Sequence, residues 1–256
     1  MLTNYHTHTK RCKHAIGEDE DYVITAINSG YCALGFSDHA PFDYKDGYVS
    51  YYKMLPADAD EYAKSIFSLR EKYRDKIQIH LGFEAEYYPD IFSNGLKLWR
   101  EVGAEYIILG QHFIENEYSK EEHAFGPTNN KKLTRYVDRC IEAIETEKFS
   151  YIAHPDVINY VGEDTAFYEH EVKRLVECAS RNEIPLEINL LGLYEGRHYP
   201  SKAFWRAASS FKPYVILGSD AHIPAALENM NVRRQGEKLA TDFGLKLIDK
   251  FEFRPL

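Results

Sequence analysis

Three histidines, His6, His8 and His14, fall close together near the start of the chain in "NYHTHTKRCKH" (4–14). Imidazole is a ligand for borderline divalent metals, so the cluster raises the question of a bound ion. One His-x-His pair decides nothing in a chain with 11 histidines. What recurs downstream gives the pattern weight. Short apolar runs end in groups able to bind a metal or move a proton. They are Asp38-His39 in "ALGFSDH", Glu84 and Glu86 in "GFEAEY", Gln111-His112 in "ILGQHF" and His154 in "YIAHP". Glu187 and Asn189 follow in "PLEINLL", then Asp220 and His222 in "ILGSDAH".

These donors are imidazoles and carboxylates, a set that suits zinc, iron(II) or manganese. A mononuclear hydrolase site uses about four protein ligands or fewer. More are available here, so two or three divalent ions are expected, with a carboxylate such as Glu84 bridging two of them. His80, early in its run, and His123 and His170, in charged sequence, are expected to be structural.

The elements that must position these groups can be read from periodicity. Apolar runs at 4–8, 33–39, 77–87, 106–113, 151–155, 185–191 and 214–222 read as buried parallel strands. Amphipathic stretches at 20–29, 57–75, 94–102, 131–147, 166–182, 201–210 and 224–243 read as helices. In the second of these, Ala59, Tyr62, Ala63, Ile66 and Leu69 recur at helical spacing. Seven βα units in order predict an α/β protein of one domain spanning 1–256, a closed or nearly closed parallel barrel. A doubly wound open sheet is the alternative. In a barrel the C-terminal strand ends converge on one mouth. Residues two apart on a strand share a face, so His6/His8, Glu84/Glu86 and Asp220/His222 should project as pairs. A last short strand in "KFEFRP" (250–255) is expected to close or cover one end.

Composition narrows the function classes. The chain has 256 residues, 44% hydrophobic and 28% charged, an ordinary globular balance. Its net charge of −9 argues against a nucleic-acid footprint, though not against a small anionic ligand held by local positive charge. The four cysteines are scattered, with no Cys-x-x-Cys, so buried or inert thiols in a reducing compartment are expected. With no leader pattern and no long apolar run, the expectation is a soluble cytoplasmic protein without membrane contact. Oligomeric state, including a homo-oligomer, is left open.

Taken together and in order, "HTHT" (6–9), "CKH" (12–14), "SDH" (37–39), "GFEAEY" (82–87), "GQHF" (110–113), "AHPD" (153–156), "EINLLG" (187–192) and "GSDAH" (218–222) resemble the polymerase-and-histidinol-phosphatase (PHP) family over nearly the full length. The likeness is to its stand-alone histidinol-phosphate phosphatases. The resemblance implies a distorted seven-stranded TIM-like (β/α) barrel with three metals. His6, His8, Glu84 and Asp220 would hold the first. Glu84 would bridge to a second, completed by His112 and His154. His14, His39 and His222 would hold the third. Many relatives carry Asp two residues before the first histidine, where this chain has Asn4. If that residue orients a ligand imidazole, Asn4 would do so as a neutral acceptor.

Divalent ions outweighing two carboxylates would leave a positive pocket, suited to a phosphate monoester dianion. The expected reaction is histidinol phosphate hydrolysis by a hydroxide bridging two metals, with Asp220 and Arg197 in the catalytic set. Arg197 in "GLYEGRHYP" could clamp phosphate in bidentate fashion, with His198 beside it and Arg11 and Lys13 as weaker contacts. Glu115 could pair with the substrate ammonium, and Asp43, Phe42 and Tyr44 could line an imidazole pocket. The rivals are a phosphoesterase acting on another small monoester or a nucleotide, an amidohydrolase-type C–N hydrolase, and a metal-storing protein without turnover.

Overall fold

A computed structural model describes residues 2–118 and 123–256. Eight strands form one parallel sheet in sequential order: β1 (Leu2–Asn4), β2 (Tyr31–His39), β3 (Gln78–Ala85), β4 (Tyr106–Leu109), β5 (Phe149–Ile152), β6 (Leu186–Asn189), β7 (Tyr214–Gly218) and β8 (Lys246–Leu247). The connections carry α1 (Asp19–Asn28), α2 (Ala59–Lys72), α3 (Phe92–Glu101), α4 (Asn130–Glu145), α5 (Thr165–Arg181), α6 (Leu190–Glu195), α7 (Lys202–Ala208) and α8 (Met230–Asp242). The sheet curls into a distorted TIM-like barrel. The open-sheet alternative is not what forms.

Alternation along the strands explains the two-layered core. Ile107, Leu109, Val215 and Leu217 face outward and join the main core beneath the helices. Their neighbours Tyr106, Ile108 and Ile216 face inward and meet Tyr5, Ala33, Tyr151 and Ala153 in the barrel interior. Both faces are therefore apolar, which is why the strands read as unbroken hydrophobic runs.

Several expectations change. The run at 4–8 is strand only at Asn4, the last residue of β1, so His6 and His8 lie beyond it, and the helix expected from 224 begins at Met230. An eighth strand of two residues adds to the seven. The run at 185–191 ends as strand at Asn189, because Leu190 begins α6, capped by the Asn189 side chain on the Gly192 amide at 2.8 Å. Residues 250–255 form no strand. They still cover one end: Phe251 packs on Tyr5 and Tyr151, and Phe253 stacks on Tyr106 at 4.8 Å between ring centroids.

At the opposite end the chain beyond β1 is stitched to the chain beyond β7. His8 N donates to Ala221 O at 2.9 Å and Ala221 N donates to His6 O at 3.2 Å, pairing the segments that follow β1 and β7. Asn4 clamps this seam. Its Nδ2 donates to His6 O (3.0 Å) and Thr7 Oγ1 (2.7 Å), and its Oδ1 accepts from Ser219 N (2.7 Å). It thus holds backbone and a hydroxyl, and no ligand imidazole, contrary to the role considered above.

Candidate metal centre

The donors lie where strands stop. His39 ends β2 and sits in register with Glu84 near the end of β3. His6 and His8 follow β1, His112 follows β4, His154 follows β5, and Asp220 and His222 follow β7. His154 and Asp220 adopt left-handed backbone, with φ of 29° and 47°. For non-glycine residues this costs of order 1–3 kcal/mol and is retained where function needs the geometry.

Glu84 is the hub. Its Oε1 lies 2.8 Å from His154 Nε2, 3.4 Å from His112 Nε2 and 3.5 Å from His6 Nε2. Its Oε2 lies 3.0 Å from His39 Nδ1 and 3.6 Å from His8 Nε2. Asp220 Oδ1 stands 3.1 Å from His8 Nε2 and 3.6 Å from His6 Nε2. Gly110 and Gly218 make room for this packing. A Cβ at Gly110 would fall 2.1 Å from Glu84 Oε1, and one at Gly218 would fall 1.6 Å from Glu187 Oε1.

A further set of carboxylates holds the imidazoles from behind. His6 Nδ1 donates to Glu187 (2.7 Å), His112 Nδ1 to Glu86 (3.0 Å), and His8 Nδ1 lies 3.4 Å from Asp38. Each contact occupies Nδ1, so the Nε2 that faces Glu84 or Asp220 is the atom left to present a lone pair to an ion once it carries no proton. His6 Nε2, His8 Nε2, His39 Nδ1 and Glu84 Oε2 are buried without hydrogen-bond partners. Buried polar atoms are nearly always satisfied, so orphans converging on one point mark a place for an ion. Imidazole lone pairs and carboxylates are the donors that divalent transition ions take, and the residues fit them.

The charges agree. Burial alone would raise the carboxyls, yet His112, His6 and His39 hold Glu84 well below the usual range, and His6, His8 and His222 do the same for Asp220. Burial would lower His6, but Glu187, Asp220 and Glu84 raise it to about 10. Burial and the neighbouring His8 push His39 down to about 3. The carboxylates call for more positive charge than crowded imidazolium ions can provide.

A PHP domain matches residues 4–190, well over half of the chain. The chain belongs to the PHP family. It is 24% identical over 240 residues to a probable histidinol-phosphatase of Deinococcus radiodurans, covering 87% of each chain. It is 25% identical to the histidinol-phosphatase of Bacillus subtilis, covering 85% of this chain and 92% of that one. The fold matches the histidinol phosphate phosphatase of Lactococcus lactis, solved with zinc, L-histidinol and phosphate. That match has a TM-score of 0.75 at 18% identity and covers 98% of this chain and 97% of the other.

Within this PHP barrel, five sets of three donors among the described residues each come within reach of one ion: His14, His39 and His222; His6, His8 and Asp220; His6, Glu84 and His154; His8, His39 and Glu84; and His8, Cys12 and His222. The first has the residues that the resemblance gives to the third metal, the second is its first-metal set without Glu84, and the set of His8, His39 and Glu84 crosses between them. In the third set, His6 takes the place given to His112, whose Nε2 still stands 3.4 Å from Glu84. Cys12 lies beside His8 and His222 and is fully buried. Burial would raise its thiol, but His14, His222 and His8 hold it down at about 5. Its burial is as expected of these cysteines, and its thiol lies well below that of buried Cys140, which burial pushes up to about 12. Scattered spacing hid the grouping around Cys12, because its partners come from both ends of the chain.

The cluster floors a cavity of about 640 Å³. Arg197 lies on its wall, bonded to Tyr199 Oη and, through Nε at 2.7 Å, to Glu195. Lys13 is also on the wall, its Nζ donating to Ser50 O at 2.7 Å. Other expected contacts fall elsewhere. Glu115 opens on a separate cavity and pairs with Arg135 (3.1 Å) and Arg139 (3.7 Å). Asp43 is exposed and off the wall. Phe42 and Tyr44 are buried in the core. His198 faces another cavity and donates to Val157 O at 2.7 Å, and Arg11 is taken up by Asp19 and Glu61. The aromatic wall is instead Tyr51, Tyr52, Phe113, Phe125 and Tyr199. His123 joins it between Phe113 and Phe125, where burial and His112 lower it to about 4. Its charged flanks had suggested an outer surface.

Proposed function

We propose that the chain is a histidinol-phosphatase: a metal-dependent phosphoric monoester hydrolase that converts L-histidinol phosphate to L-histidinol and phosphate. One observation carries the reading. Five imidazoles lie within 3.6 Å of Glu84 at the floor of a cavity whose wall holds a guanidinium. That combination suits a compact dianion, and the named relatives support this substrate over other monoesters. Residues 1–256 are read as one phosphoesterase domain.

His6, His8, Glu84 and Asp220 would hold one ion, Glu84, His112 and His154 a second, and His14, His39 and His222 a third. Bound divalent ions supply Lewis-acid charge at phosphorus and bring the pKa of coordinated water towards about 7. Glu84 and Asp220 stay ionised and act as anionic donors, not as proton sources. Arg197 clamps phosphate oxygens with a fork oriented by Glu195 and Tyr199. The aromatic wall receives the imidazole of the leaving group. Glu195 is the carboxylate on the described wall outside the cluster, and it takes the ammonium role first considered for Glu115.

The net charge of −9 and the small cavity favour a small molecule over nucleic acid. Among the described residues, no helix is long and apolar enough to cross a membrane. Steady-state hydrolysis of histidinol phosphate beside p-nitrophenyl phosphate and a nucleoside monophosphate tests the reading. A kcat/KM at least about 100-fold higher for histidinol phosphate is expected, since hydrogen-bonding sites discriminate at this level or better. Equal turnover of all three would remove the substrate assignment. Metal-loaded protein that hydrolyses no monoester would remove the phosphatase assignment as well.

A further inference from the structure

Glu86 stands two residues beyond Glu84, yet it reaches no orphaned imidazole nitrogen of the cluster. Its Oε1 accepts from His112 Nδ1 at 3.0 Å and Tyr52 Oη at 2.9 Å, and its Oε2 accepts from Lys53 Nζ at 2.6 Å. Lys53 is 1% exposed. A lysine is almost never buried this far unless it is paired, because removing an ammonium from water is costly. Here it is heavily paired. Nζ also lies 3.0 Å from Glu117 Oε2 and 3.0 Å from Tyr44 Oη. The rings of Phe42, Tyr44, Tyr52 and Tyr88 surround it at 5.0–5.8 Å to their centroids.

The other two carboxylates behind the imidazoles are held by neutral donors. Glu187 accepts from His154 N and Asn189 Nδ2. Asp38 accepts from His39 N and Thr9 Oγ1. Glu86 is the one of the three fixed by a buried cation. Tyr52, on the same carboxylate oxygen as His112, sets its ring edge-on to His39 at 5.0 Å. A single ammonium therefore stands behind His112 and behind one wall of the cavity.

We propose that Lys53 is a positioning residue of the metal centre: by anchoring Glu86 it fixes the His112 ring with Nε2 towards Glu84, and so sets the affinity for the ion that His112 would hold. The proposal rests on reading the site as a metal centre and is independent of which substrate it takes. A bare loop anchor would behave differently, because Lys53 tethers the chain after β4 through Glu117 and the chain after β3 through Glu86, and the metal role runs through Glu86 alone.

The test measures zinc per chain, by elemental analysis of the zinc-loaded protein dialysed against graded chelator. In Lys53→Met, one ion per chain should leave at roughly 10- to 100-fold lower chelator, the usual cost of losing an outer partner of a ligand, while the others stay. Glu117→Gln removes the second carboxylate partner of Lys53 and should keep the unaltered release curve, even with a lower Tm. If Lys53→Met fails to fold, the Lys53→Met/Glu117→Gln double variant restores the buried charge balance and must show the same selective loss. The proposal is overturned if the folded variant keeps every ion, if all ions leave together, or if Glu117→Gln releases the same ion as readily. Hydrolysis is not read in this experiment, so failure of the substrate assignment and failure of the Lys53 role give separate results.

Discussion

The Nε2 atoms of His14 and His222 face each other at 2.9 Å, while both Nδ1 atoms lie against backbone carbonyls: His14 on Cys12 O at 2.7 Å and His222 on Asp220 O at 3.0 Å. A neutral imidazole carries one proton. If Nδ1 donates on each ring, both Nε2 atoms present lone pairs to one another. Such a contact is repulsive until a proton or a cation lies between them. Replacing either residue with Ala should remove about one ion per chain and lower kcat/KM by at least about 100-fold, the order lost when one electrostatic element of a catalytic site is deleted. Metal analysis paired with the phosphatase assay checks this. Unchanged metal content in both variants would sink the three-group arrangement.

Metal loading should expel protons. His6 is raised from 6.5 to about 10 by Glu187, Asp220 and Glu84, against the effect of burial. Its folded value exceeds its unfolded one, so its charged form stabilises metal-free protein fully below about pH 6.5, and that contribution fades as pH rises through about 10. At pH 7 the metal-free ring is charged and must lose its proton to become a ligand. Zinc added to metal-depleted protein in weak buffer should therefore release at least about one proton per chain, and apparent affinity should rise with pH. An indicator dye reads the release; none at pH 7 would contradict the assignment of His6.

Arg197→Met keeps the bulk of the side chain and removes the guanidinium. We expect kcat/KM for histidinol phosphate to fall by roughly 10²–10³, with zinc content unchanged, because the lost groups are charge-assisted donors to phosphate. Wild-type kinetics in this variant would move the phosphate clamp elsewhere, with Lys13 on the same wall the next residue to change.

The two glycines beside the carboxylates offer a steric test. Gly218→Ala puts a methyl group 1.6 Å from Glu187 Oε1, and Gly110→Ala puts one 2.1 Å from Glu84 Oε1. Overpacking of this kind costs about 1–3 kcal/mol. Both variants should melt lower and hold less metal, Gly110→Ala the more so because it displaces the hub carboxylate itself. Full metal retention in both would show that the carboxylates have other places to go.

Much of the architecture could be read before any fold was known, because strand and helix are written in short-range periodicity. Six of the seven runs overlap β2 to β7, while the run at 4–8 meets β1 only at Asn4, and the donors beyond the strand ends met because parallel strands in sequential order bring those ends to one mouth. The eighth strand was too short to carry a pattern, and the aromatic tail at 250–255 carries the alternation of a strand while serving as a plug. What depended on tertiary structure was every pairing between loops. Glu115 follows His112 by three residues yet turns to Arg135. Asn4 precedes His6 by two residues yet grips Ser219. Lys53 finds Glu86 through a loop with no regular spacing at all. Periodicity constrains which face a side chain takes along an element, whereas a loop residue's partner depends on the path of the whole loop, which only packing decides.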